Sequence, residues 1–105
     1  MPDPRIWPVP AVTDTFATVT AVSAIVLAAN PRRVEADFIN DGDYIIYLAR
    51  GHDAVVGSGQ RLNAQGGSYH TGIDNLFHGD IYGIAEVAIG QGNTNLSISE
   101  GYKPA

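Results

Sequence analysis

Ala24-Ile-Val-Leu-Ala-Ala29, Asn30-Pro-Arg-Arg33, Val34-Glu-Ala-Asp-Phe-Ile-Asn40, Asp41-Gly-Asp43, Tyr44-Ile-Ile-Tyr-Leu-Ala49: this run decides how the chain is read. Three short apolar segments, rich in β-branched and aromatic residues, are separated by two clusters of turn formers. That pattern predicts consecutive antiparallel strands. Pro31 has no N–H and biases Asn30 away from helix, so the first segment stops there. Asp41-Gly42 offers a residue that tolerates positive φ, as a tight hairpin turn requires. Within Val34–Asn40, Val34, Ala36 and Phe38 share one face and Glu35 and Asp37 the other, so one face is dry and one wet.

Working outward, the same period recurs. Asp14–Val22 is expected to be a first strand with Phe16 as its core member. Arg50–Gln60 holds three glycines and reads as a long loop with a short ordered piece at Ala54–Val56. Arg61-Leu62 and Ser68–Gly72 are brief strands, with Tyr69 and His70 on opposite faces. Phe77 pins the connection Ile73–Asp80. Ile81–Ile89 is a late strand with Ile81, Gly83, Ala85, Val87 and Ile89 on one face and Tyr82, Ile84 and Glu86 on the other. Thr94–Glu100 turns Leu96 and Ile98 inward and Asn95, Ser97 and Ser99 outward. The expected core is Phe38, Ile46, Leu48, Leu96 and Ile98, with Ile84 or its alternating partners Val87 and Ile89. About seven or eight short antiparallel strands with no helical period predict an all-β single domain, a β-sandwich or small barrel.

Residues 1–12 differ from the rest. Prolines at 2, 4, 8 and 10 forbid helix and central strand, and predict an extended, proline-rich N-terminal arm ahead of an all-β domain over 13–105. Arg5, Ile6, Trp7 and Val9 make this arm a candidate partner interface, the alternative being a strap over its own core. A stiff segment carrying the chain's single Trp loses little entropy on docking.

Composition narrows the chemistry. At 105 residues the chain is one domain, long enough to bury roughly 60–70% of its unfolded surface. It has no Cys, which excludes disulfides, thiolate nucleophiles and cysteine metal sites. A formal charge of −5 argues against direct nucleic-acid binding, where phosphate neutralisation supplies most of the affinity. Charged residues make up 16%, below the usual quarter or so, which suits either a surface covered by other protein or one made polar by Ser, Thr, Asn and Gln. The longest apolar run, Ala24–Ala29, is far short of the roughly 20 residues of a helical membrane span. Met1-Pro-Asp-Pro-Arg5 shows no leader pattern, so a mature cytosolic or particle-assembled protein is expected.

Catalytic and metal patterns are weak. His52, His70 and His78 have Asp53, Asp74 and Asp80 near them in sequence, but their spacing matches no ligand motif and lacks the His-x-His of cupin-type barrels. Solvated or interface histidines are expected, with no metal and no cofactor. Ser23, Ser58, Ser68, Ser97 and Ser99 include no Gly-x-Ser-x-Gly elbow. Asp41 and Asp43 bracket a turn rather than a cleft. Tyr44, Tyr47, Tyr69 and Tyr82 could form a sugar platform, but cross-strand pairing and core packing are the favoured account of them.

Ile25-Val-Leu-Ala-Ala-Asn-Pro-Arg-Arg33, Phe38-Ile-Asn-Asp-Gly42, Ile46-Tyr-Leu48, Leu62 through Gly66-Gly67-Ser68-Tyr69, and Gly79-Asp-Ile-Tyr-Gly-Ile-Ala85 with its closing strand to Glu100 form one recurrent pattern. Over roughly residues 24–100 the chain resembles small all-β structural proteins of tailed-phage virions. The resemblance implies a non-enzymatic part of the virion, assembled in the host cytoplasm: head decoration, head–tail joining or a fibre-like attachment protein. Its implied partners are further copies of itself and virion proteins such as the major capsid or connector protein, with neither nucleic acid nor membrane. Decoration or cementing of the capsid is the leading expectation. The alternatives are a carbohydrate- or ligand-binding β-module and, more distantly, a cupin-like metalloenzyme.

Overall fold

The computed structural model describes residues 11–72, 75–88 and 91–103. Among them eight strands form: β1 (Ala11–Val19), β2 (Ala24–Leu27), β3 (Arg33–Asn40), β4 (Ile46–Arg50), β5 (Gln60–Leu62), β6 (Ser68–Thr71), β7 (Ile81–Ala85) and β8 (Thr94–Tyr102). They build two four-stranded antiparallel sheets, ordered β1-β8-β3-β6 and β2-β7-β4-β5. Four nested pairings explain this order: β1 with β8, β2 with β7, β3 with β6, and β4 with β5. The chain is thus one long hairpin folded back at the β4–β5 loop. Rolling it up lays β8 against β3 and β7 against β4. This is the winding of a jelly roll, a two-sheet β-sandwich.

The winding corrects the reading of Ala24–Ala49. The three strands exist, but β2, β3 and β4 alternate between sheets and none pairs with the next. Asp41-Gly42 is therefore a crossing between sheets, and Gly42 is absent from the glycines with positive φ. Glycine is required there by close approach: a Cβ on it would lie 1.6 Å from Thr94 Oγ1. Asn40, fully buried, holds the crossing in place of a hairpin ladder. Its Nδ2 donates to Tyr44 O at 2.6 Å and Leu62 O at 3.0 Å, while Oδ1 accepts from Gly42 N at 3.1 Å.

The core lies between the sheets: Val19, Ala36, Phe38, Ile46, Leu48, Leu62, Ile81, Ala85, Leu96 and Ile98. Phe38, Ile46, Leu48, Leu96 and Ile98 are where the alternation put them. Phe16 is not; it is 68% exposed, and β1 contributes Val19 instead. In β7 the inward face is Ile81, Gly83 and Ala85, so Ile84 faces out, half-buried. The strand ends at Ala85; Val87 packs on the core from the following loop, and Ile89 lies outside the described residues. A Cβ on Gly83 would sit 2.9 Å from Val26 Cγ1 and 3.5 Å from Leu48 Cδ2, so glycine lets the sheets close here. Ala54–Val56 forms no strand, and only Ala54 is buried.

At the other end of β3, Arg33 is 1% exposed. Val34 was expected to open the dry face, but a register shift between Arg33 and Glu35 turns Arg33 inward instead. Burying a guanidinium is tolerable only when its donors are satisfied. Nε donates to Glu100 Oε2 at 2.7 Å, NH1 to Phe77 O and Gly79 O, and NH2 to Ala28 O. The Arg33 carbonyl in turn accepts from His78 Nε2 at 3.0 Å.

Candidate functional site

The outer face of the β1-β8-β3-β6 sheet is the place where chemistry and exposed apolar surface meet. Its geometry follows from register. β8 buries Leu96 and Ile98, so Asn95, Ser97 and Ser99 face outward. Ser97 stands between Phe16 of β1 and Ile39 of β3, and Ser99 between Asp14 and Asp37. Across β3 the two rows continue to Ser68 and His70 of β6. Small side chains on β8 and larger ones on both flanking strands make a shallow trough. Asp14, Thr15, Phe16, Asp37, Ile39 and the β8 serines line it. Its walls stand two strand spacings apart, roughly 9–10 Å. Each wall carries an acid followed, two residues on, by an apolar side chain: Asp14 then Phe16, Asp37 then Ile39.

The acidic row is tied together. Ser99 Oγ donates to Asp14 Oδ1 at 2.7 Å, and His70 Nδ1 donates to Asp37 Oδ1 at 2.5 Å. The His70 and Asp37 side chains are about half exposed, so the pair contributes at most about 1 kcal/mol. Although serine, histidine and aspartate occur together, they are in the wrong order for acyl transfer. A nucleophilic serine needs the imidazole next to it and the carboxylate behind. Here Asp37 stands between Ser99 and His70, and Ser99 donates to a carboxylate.

The other candidates disperse. The three histidines occupy three places: His70 on β6, His52 in the loop after β4 with its Nδ1 on Asp53 O, and His78 before β7 on Arg33 O. Among the described residues no group of three His, Asp or Glu gathers as a metal site, and Asp74 lies outside them. Tyr47 is buried, and Tyr69 stacks on Phe38 with ring centroids 6.3 Å apart. Tyr44 and Tyr82 are half-buried on different strands and loops, so the four tyrosines form no platform.

Of the arm, Ala11 and Val12 belong to β1, paired with Tyr102 and Gly101. Arg5, Ile6, Trp7 and Val9 lie outside the described residues. The trough escaped the sequence reading although its parts did not. Alternation marks Asp37, Ser97 and Ser99 as outward, but nothing local places β8 between β1 and β3. No protein-family model, curated protein or solved structure matches the chain.

Proposed function

We propose that this chain is a non-enzymatic structural protein of a tailed-phage virion, decorating or cementing the capsid through contacts between subunits. The observation that carries the reading is the open sheet face where Phe16 is 68% and Ile39 44% exposed beside two carboxylates. An exposed apolar patch rimmed by polar groups suits a protein partner better than a small substrate, which binds in a concave pocket. Jelly-roll winding serves capsid proteins, lectins and cupins alike, so it permits this role without selecting it. Arg5, Ile6, Trp7 and Val9 act as a clasp in this reading. The second reading, a carbohydrate-binding module, draws on the Phe16 ring between Asp14 and Asn95 rather than on the tyrosines.

Two measurements test the proposal: sedimentation velocity of the full chain over a range of concentrations, and mass spectrometry of purified particles of the phage encoding it. Concentration-dependent self-association and presence in the particle are expected. A strict monomer absent from particles overturns the reading, and glycan binding by that monomer favours the second.

A further inference from the structure

The trough has a specific pattern, and one segment of the chain matches it. Along both walls the order is acid, then two residues later apolar: Asp14 to Phe16 on β1, Asp37 to Ile39 on β3. Since β1 and β3 are each antiparallel to β8, they run parallel to one another, and the two walls present this order in the same direction. Two residues along a strand span about 6.7 Å. Between Pro4 and Pro8 the arm reads Arg5-Ile6-Trp7. In extended backbone Arg5 and Trp7 share one face and are the same distance apart. The arm thus carries a cation and then an aromatic ring at the spacing at which the trough offers acids and then apolar side chains.

Resting on the self-association proposed above, we infer that the arm of a second copy lies in the trough. Arg5 sits between Asp14 and Asp37, and Trp7 packs on Phe16 and Ile39. Direction excludes the chain's own arm. To make both contacts the segment must run parallel to β1, since Arg5 precedes Trp7 as Asp14 precedes Phe16. An arm entering β1 at Ala11 reaches its own trough only by reversing, which lays Trp7 over the acids and Arg5 over the apolar row. Docking through side chains on a sheet face also uses no backbone N–H from the arm. Prolines at 2, 4, 8 and 10, which bar it from a sheet edge, are harmless here. Asp14 and Asp37 are held by Ser99 and His70 and have oxygens left to accept from a guanidinium, which presents five donors.

The chain's single Trp makes the test direct. Trp7 emission should shift to the blue as the full-length protein associates, and should stay at the solvent-exposed position in Phe16→Glu. Arg5→Glu alone, and Asp14→Arg with Asp37→Arg, should each weaken association roughly tenfold, the size expected for reversing exposed ion pairs. Mixing the two variant proteins should restore it, because an intact arm then meets an intact trough on the other chain. At concentrations where every protein is monomeric, circular dichroism should match wild type and melting should stay within a few degrees of it in every variant, since Asp14, Phe16 and Asp37 stand on the outer face of the sheet. If wild type associates but neither reversal weakens it, the trough is not the receiving surface, while the structural-protein reading stands. Trp7 emission already blue-shifted at the lowest concentration places the arm on its own domain and overturns the inference. A wild-type chain that never associates removes both.

Discussion

Phe16 and Phe38 lie in one sheet with only β8 between their strands, and they point to opposite faces of it. Phe16 stands beside Ser97, 68% exposed; Phe38 stands beside Ile98, fully buried. The same substitution should therefore have two different outcomes. Phe38→Ala removes a buried ring and is expected to cost about 3–5 kcal/mol in denaturant melts. Phe16→Ala in the monomer should stay within about 0.5 kcal/mol of wild type. A loss below about 1 kcal/mol at Phe38, or a large one at Phe16, would mean the sheet faces the other way.

The Arg33–Glu100 ion pair is a stability element. Arg33→Met keeps much of the volume but strands the Glu100 carboxylate, 13% exposed, together with the carbonyls of Ala28, Phe77 and Gly79. Breaking one side of such a buried pair is expected to cost about 3 kcal/mol or more. Arg32→Met, one residue earlier and exposed, serves as the control and should be nearly neutral. Equal effects at the two positions in urea titrations would refute the assignment.

Asn40→Ala should be comparably damaging for a different reason. It leaves the Tyr44 and Leu62 carbonyls without their Nδ2 donor and frees the Asp41-Gly42 crossing. At about 1–3 kcal/mol for each buried group left unpaired, a loss of at least about 2 kcal/mol is expected. Amide hydrogen exchange should quicken at Gly42, which donates to Asn40 Oδ1, and at Glu86, which donates to Ile45 O next to the Tyr44 carbonyl that Asn40 holds, before it does in the middle of β3; uniform protection would count against a local role.

Removing residues 1–10 keeps every rung described between β1 and β8, from Ala11–Tyr102 to Val19–Thr94, and should leave the melting temperature almost unchanged. Removing 1–12 also deletes the rungs Ala11–Tyr102 and Val12–Gly101, and should lower it by a few degrees. An equally large drop from the shorter deletion would show the arm to be a strap on its own domain.

Chelation should have no effect. His70, His52 and His78 each have a protein partner and lie on separate elements. A melting temperature that falls with EDTA and recovers with a divalent cation would point to His52, Asp53, His70 or His78 as ligands.

Much of this architecture is local and was open to reading. Period-2 alternation marks Phe38, Leu96 and Ile98 as inward, and Asp37, Ser97 and Ser99 as outward, because successive side chains on a strand leave opposite faces. Turn formers place the breaks near Asn30-Pro31, Asp41-Gly42 and Gly66-Gly67 to within a few residues. Where alternation is equivocal, as in β1, one large side chain misleads: Phe16 outweighs Ala17 and Val19 in hydrophobicity but stands on the other face. Burial of Arg33 has no local signal at all, since its partners come from positions 28, 77, 79 and 100.

The sequence by itself thus determined that the chain forms short strands, where they break, and which residues of most strands share a face. Only the tertiary structure decided which strands are neighbours. Pairing is a property of the whole chain: β8 can lie between β1 and β3 only after the long hairpin has rolled, and no window of ten or twenty residues contains that event. The trough inherits this dependence. Its acids and apolar side chains come from β1 and β3, and its floor from β8, so its residues were visible one by one and became a surface only through the fold.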